Sequence, residues 1–180
     1  MELVHVFWRY YVAMLKLLGG MEFPGAPDAE VQAQPAGFDL TLQRAARFQG
    51  PGELDFSNQR RNLPEAEDLP WVGDAARHDA CNEGTITLKP GGYLVTYNEQ
   101  ITVPPDCAGL VLPRSSLMRC GATLHSALWD PGYCGRGQGL LSVYNELILH
   151  RNARIGQFIL LALESAAANL YRGQYQGENL

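Results

Sequence analysis

The residues from Leu112 to Asn145, LPRSSLMRCGATLHSALWDPGYCGRGQGLLSVYN, hold the densest chemistry of the chain. Arg114, Ser115, Ser116 and Arg119 bring two guanidinium groups to two adjacent hydroxyls. Arginine offers a rigid fork of donors and serine adds short neutral ones, so the set suits a polyanion such as a triphosphate. Asp130 stands alone in the apolar run ALWDPGY. A carboxylate there can hold and deprotonate a water. It also has a plainer reading, because Asp-Pro-Gly opens turns and Asp can cap its own turn. Phosphate grip beside a water-activating base is the minimum equipment for hydrolysing a nucleotide anhydride.

The frame that must position these groups reads as β. GTITLKPGGYLVTYNEQITVPPDCAGLVLP, from Gly84 onward, alternates apolar and polar residues in short runs broken by Pro-Gly-Gly, Tyr-Asn-Glu and Pro-Pro-Asp. Leu124–Trp129 and Leu140–Tyr144 read as a hairpin around PGYCGRGQG, and Glu146–His150 and Ala153–Leu163 as two further strands. AGFDLTL (36–42) is expected as a short strand entered through a glycine. Helix signals after residue 20 are weak, which points to an all-β, many-stranded barrel or jelly roll over residues 21–169. Residues 44–84 have no clean period and read as an insertion or surface lobe. Residues 170–180 carry little to bury and are expected to be mobile. Residues 1–20 read either as an amphipathic helix or as sequence ahead of a true start at Met21. Glu2, Arg9 and Lys16 argue against a signal peptide.

Charge narrows the partners. The 180 residues carry a net charge of −5, yet residues 1–110 hold a net −7 and residues 111–180 a net +2. The segment with the motifs is therefore locally cationic, which favours a small anionic ligand. A duplex binder would show a broad basic face, so nucleic acid is not the expected partner. No window is long and charge-free enough to cross a bilayer, so no membrane partner is expected. Cys81, Cys107, Cys120 and Cys134 form no CxxC pair, and only His78-x-x-Cys81 approaches a zinc spacing. Buried thiols of a cytoplasmic protein are the better reading. Gly135-Arg136-Gly137-Gln138-Gly139 lacks the strand-turn-helix setting of a phosphate loop and reads as a hairpin tip. His125 and Ser126 are near Asp130 in sequence, which by itself makes no triad.

Five short segments stand in the order used by the trimeric dUTPase and dCTP deaminase superfamily. AGFDL (36–40) resembles the first motif, PRSSLMR (113–119) the second, ALWDPGYCG (127–135) the third, ARIGQ (153–157) the fourth and YRGQYQGENL (171–180) the closing tail. The resemblance covers roughly residues 31–180 apart from 44–84, and is greatest to the archaeal-type dUTPases. It implies a distorted jelly roll of the dUTPase type and a homotrimer with sites between subunits. It implies hydrolysis of dUTP to dUMP and pyrophosphate, with Asp130 as the base. Arg114, Ser115, Ser116, Arg119 and Gln157 would hold the phosphates, with Arg154 more ambiguous. Tyr133 would lie against the deoxyribose and leave no space for a 2′-hydroxyl. Tyr171 and one of Gln174 or Gln176 would close over the nucleotide. Mg2+ would be carried by the triphosphate and water, with Asp130 as its one protein contact if it has any.

One departure separates the two branches of that superfamily. The deaminases carry a glutamate three residues ahead of the Asn of this strand, and Ser142 stands there. A serine hydroxyl has no acid–base chemistry near neutrality. The hairpin is also two residues longer than the deaminase pattern, and Glu146 is the nearest carboxylate. A dCTP deaminase, or a bifunctional deaminase-diphosphatase, is therefore the second reading. A non-catalytic nucleotide-binding regulator on the same barrel is the third.

Overall fold

A computed structural model describes residues 21–73 and 84–180. The helix-or-leader question for residues 1–20, and His78 and Cys81, lie outside the described residues. In chain order the elements are α1 (Ala29–Gln32), β1 (Ala33–Gln34), β2 (Gly37–Gln49), β3 (Glu65–Asp68), β4 (Thr85–Leu88), β5 (Gly91–Tyr97), β6 (Ile101–Thr102) and β7 (Cys107–Pro113). Then come α2 (Ser115–Arg119), β8 (Ala122–His125), β9 (Cys134–Gly135), β10 (Gln138–Val143), β11 (Leu147–His150) and β12 (Arg154–Ala162). All the strand pairs are antiparallel.

β2 is the strand that bends the sheet into a barrel. Its first half pairs with β12, Phe38 opposite Phe158 and Asp39 opposite Gln157. Its second half leaves β12 and pairs with β5, Ala45 opposite Val95, and at its end with β3. Register shifts between Leu42 and Arg44, and between Arg154 and Gly156, mark the corner. Such irregularities add bend and twist where a strand passes from one sheet to the next. The path β7-β12-β2-β5-β10-β8 follows, with β11–β4 and β6–β9 as small separate pairs. The strand at 36–42 is thus longer than its sequence suggests. Arg44-Ala45-Ala46-Arg47 continues it, and the bulge disguises the alternation.

Alternation elsewhere delivers the core. Leu40, Leu42, Leu88, Val95, Tyr97, Ile101, Leu141, Ile155, Phe158 and Leu160 are fully enclosed. Burying each such side chain contributes about 1.5–3 kcal/mol relative to exposure. One carboxylate shares this interior. Glu99 accepts from Gln32 Nε2 at 2.7 Å, from the Thr41 hydroxyl and from Thr41 N–H at 2.9 Å. Burial pushes its carboxyl up and these donors draw it back. The network ties α1, β2 and the β5–β6 turn together at one end of the barrel.

Candidate active site

The Asp130-Pro131-Gly132-Tyr133 segment forms a type II turn. Tyr133 N–H donates to the Asp130 carbonyl at 3.1 Å, and Gly132 has φ 83°. Proline at the second position and glycine at the third are what this turn demands. The main chain closes the turn, so the Asp130 side chain is not its cap. No described residue donates to that carboxylate, which is exposed at the rim of a cavity of about 380 Å³. Volumes in this range suit a small-molecule ligand.

Trp129 and Tyr133 make the cavity floor, with ring centroids 5.2 Å apart at 66°. Gly137 lies so close beneath that a Cβ there would sit 2.6 Å from the Trp129 ring. Tyr171, Tyr175 and Glu178 form one wall, and Phe48, Leu63, Pro64, Leu94 and Leu128 form the apolar opposite side. Tyr133 is fixed on three sides. It meets Trp129, the Tyr171 ring at 5.9 Å, and the Glu178 carboxylate, to which its hydroxyl donates at 2.8 Å. Burial pushes the Tyr133 phenol far up, and the neighbouring carboxylate adds to it. Burial also raises Glu178, and the tyrosine hydroxyl partly offsets that rise.

The tail, whose residues 171–180 all stay at least partly exposed, docks on its own chain through hydrogen bonds. Tyr171 N–H donates to Pro131 O at 2.8 Å, Gly177 N–H to Cys134 O at 2.8 Å, and Arg136 N–H to Glu178 O at 3.0 Å. The Gln176 amide donates to Gly132 O at 3.1 Å and accepts from Cys134 N–H at 3.2 Å. Asn179 bonds Arg136 and Arg44. Gln174 is exposed and outside the cavity lining.

Two of the proposed phosphate donors, Arg114 and Gln157, lie elsewhere, beside a residue that the sequence left unassigned. Asp39 is 1 % exposed, and its Oδ2 lies 3.1 Å from Arg114 Nε and 3.3 Å from Arg154 NH1. Burial pushes its carboxyl up, and the two guanidinium groups pull it back. Arg154 also donates to Val31 O at 3.0 Å. Gln157 is the direct register partner of Asp39 and shares its sheet face. Ser115 and Ser116 open α2 with exposed side chains, and Arg119 is its last residue, also exposed. The sequence did carry a signal for Asp39: an acid inside Gly-Phe-Asp-Leu-Thr-Leu needs partners wherever the strand is buried on both faces.

Arg114, Ser115, Ser116, Arg119 and Gln157 are all absent from the lining of the Asp130 cavity. The sheet explains why. Trp129 bridges to Gly109, at the middle of β7, whereas Arg114 follows the end of that strand. The four steps from Gly109 to Pro113 span roughly 13 Å of extended chain. One chain therefore keeps these groups apart, a cavity with a carboxylate at its rim and, away from it, Arg114, Arg154 and Gln157 beside the buried Asp39.

Ser142 sits in β10 opposite Gly92 on β5 and Thr123 on β8, with no acid among these register partners. Glu146 is engaged by Lys89. Among the described residues no three His, Cys, Asp or Glu side chains come together as a metal cage, and no described helix is long and apolar enough to cross a membrane.

Residues 21–163 match the family described as dCTP deaminase-like. A "probable deoxyuridine 5'-triphosphate nucleotidohydrolase" of Methanosarcina mazei is 42% identical over 156 residues, 86% of either chain. One from Halobacterium salinarum is 40% identical over 152 residues, covering 84% of this chain and 87% of the other. Among solved structures, a 2'-deoxycytidine 5'-triphosphate deaminase from Agrobacterium tumefaciens superposes with a TM-score of 0.55 at 23% identity. That match covers 83% of this chain and 47% of the deaminase, so the chain spans about half of its length.

Proposed function

The chain belongs to the dCTP deaminase-like family, and we propose that within it the protein is a dUTP diphosphatase, converting dUTP and water to dUMP and pyrophosphate. Relatives named for dUTP hydrolysis, about 40% identical over most of the chain, support the reaction. The observation that carries the chemistry is the turn at Asp130. Because main-chain groups close it, a carboxylate is left at the cavity rim with its lone pairs available to a water.

In this reading the Asp130 carboxylate takes a proton from a water placed in line with the α-phosphorus. The new P–O bond forms as the bond to the bridging oxygen breaks, and pyrophosphate departs. Tyr133, clamped between Trp129, Tyr171 and Glu178, is the rigid surface beneath the deoxyribose. Backbone groups of the 128–144 hairpin read uracil. Gly132 O and Cys134 N–H of this hairpin are held by the Gln176 amide, so the base would meet other backbone groups of the hairpin or displace that amide. Arg114, Ser115, Ser116, Arg119 and Gln157 bind the phosphates and stabilise the charge that develops on them.

Those donors lie outside the Asp130 cavity of the same chain. A complete site is built when a second copy brings its cationic cluster to that cavity, in a homotrimer. Mg2+, a hard ion that keeps its water, would bind through the substrate phosphates. Asp130, the exposed carboxylate of the cavity lining, would be its one protein contact if it has any. When bound, the ion would neutralise triphosphate charge.

A deaminase reading draws on the superposition with a dCTP deaminase, which bears on fold alone. The register partners of Ser142 supply no carboxylate to shuttle protons at a pyrimidine ring. Replacing Asp130 by Asn tests the proposed role directly. Turnover of dUTP should fall by ~10²–10⁴, the usual contribution of general-base catalysis, while nucleotide affinity changes far less. Near-normal turnover would reduce Asp130 to a turn residue.

A further inference from the structure

Residues 50–64 leave the end of β2 and return to β3 as a lobe outside the barrel. Its base is closed by reciprocal backbone bonds between Glu53 and Asn62, at 2.8 and 2.9 Å. Its tip is held by Asp55, which accepts from Ser57 and from Arg60 N–H at 3.1 Å. These donors draw the Asp55 carboxyl below its ordinary range. The lobe is therefore an internally bonded loop, and it delivers Arg61 to a defined place.

That place is the C-terminal tail. The Arg61 guanidinium carbon lies 5.5 Å from the centroid of the Tyr175 ring, and its NH2 donates to the Tyr175 hydroxyl. Two residues further on, Leu63 and Pro64 line the Asp130 cavity, as Tyr175 does from the tail. Lobe and tail thus meet over the cavity, and Arg61–Tyr175 is the side-chain contact that joins them. The rest of the docked tail is held by the 131–136 turn and by Arg44.

We propose that Arg61 is a positioning residue that latches the closed tail by gripping Tyr175, so that retention of the nucleotide depends on the 50–64 lobe. The inference deepens the diphosphatase reading and rests on it only for the identity of the nucleotide. A guanidinium over an aromatic face is attracted by the ring quadrupole, and its fork can bond the phenol at the same time. Neither group touches the reacting atoms. The latch acts through the population of the closed tail, so it governs substrate retention rather than the chemical step.

The test uses the full-length protein and four variants: Arg61→Ala, Arg61→Lys, Tyr175→Ala and the double Ala variant. Arg61→Ala should raise KM for dUTP by about fivefold, the weight of one partly exposed cation–π contact with its hydrogen bond. Its kcat should stay within about twofold, because transition-state contacts are untouched. The melting temperature of the ligand-free protein should not move. Cleavage of the tail by a protease should quicken both without ligand and with a non-hydrolysable dUTP analogue. Arg61→Lys, which keeps the cation, should recover part of the loss, and the double variant should be no worse than Tyr175→Ala. Wild-type KM and tail cleavage in Arg61→Ala, or additive losses in the double variant, would overturn the latch. If the wild-type protein fails to hydrolyse dUTP, the functional reading fails separately. Tail cleavage in the ligand-free protein still decides the latch, because the contact exists there.

Discussion

Arg114 Nε lies 3.1 Å from the buried Asp39 Oδ2, so the first arginine of the proposed phosphate-binding segment is anchored by a carboxylate on another strand. Asp39 also holds Arg154, and its register partner is Gln157. One buried acid thereby holds two arginines and stands opposite Gln157 in the sheet. It does so without being positioned to touch phosphate, whose charge it would repel.

Asp39→Asn keeps the shape and removes the charge. The two arginines are partly exposed and can re-solvate, so the stability loss should be about 1–3 kcal/mol, less than for a fully buried pair. KM for dUTP should rise while kcat falls less, because the donors lose their fixed orientation. Denaturant melts and steady-state kinetics check both. An unchanged KM would remove Asp39 from the site.

Glu178 gives the docked tail a pH dependence with a definite sign. Burial raises its carboxyl above the ordinary value of 4.5, so the docked tail binds a proton more tightly than an undocked one. Docking is at full strength below the ordinary carboxylate range and weakens as pH climbs through the raised value. Amide exchange at residues 176–179, corrected for intrinsic rates, should show protection falling over that window. Glu178→Gln should flatten the profile. Protection that grows with pH would reverse the assignment.

The separation of Asp130 from Arg114 within one chain predicts complementation. Asp130→Asn and Arg114→Ala should each be inactive alone. Co-expressed, they should recover up to about a quarter of wild-type activity, the share of sites that combine an intact cavity with an intact neighbour under random mixing in a symmetric oligomer. No recovery from mixed assemblies would place both residues in one chain's site, against the separation seen here.

Much of this frame was legible from short apolar-rich runs set off by turn residues. The strands from Thr85 to Tyr97, from Cys107 to Pro113 and from Leu147 to Ala162 lie in such runs. The second half of β2 was not, because two alanines between arginines carry little hydrophobic signal and the bulge after Leu42 shifts the phase. Helix α2 escaped as well, since five residues make barely one turn and show no period. Asp130 could be picked out as a lone acid in an apolar run, and Tyr133 only through the family resemblance. Asp39, Glu178 and Arg61 could not be assigned, since their partners lie 75, 45 and 114 residues away in sequence. The tail docks partly through backbone groups, which leave no pattern in side chains, and partly through side chains whose partners are distant in sequence.

Pyrophosphate release measured across deoxynucleoside triphosphates, with ammonia followed in the same reactions, tests the central claim most directly. The structure and its relatives predict one mole of pyrophosphate and one of dUMP per dUTP consumed, and no ammonia from dCTP. Stoichiometric ammonia from dCTP at neutral pH, or dUTP left intact by the folded protein, would contradict it.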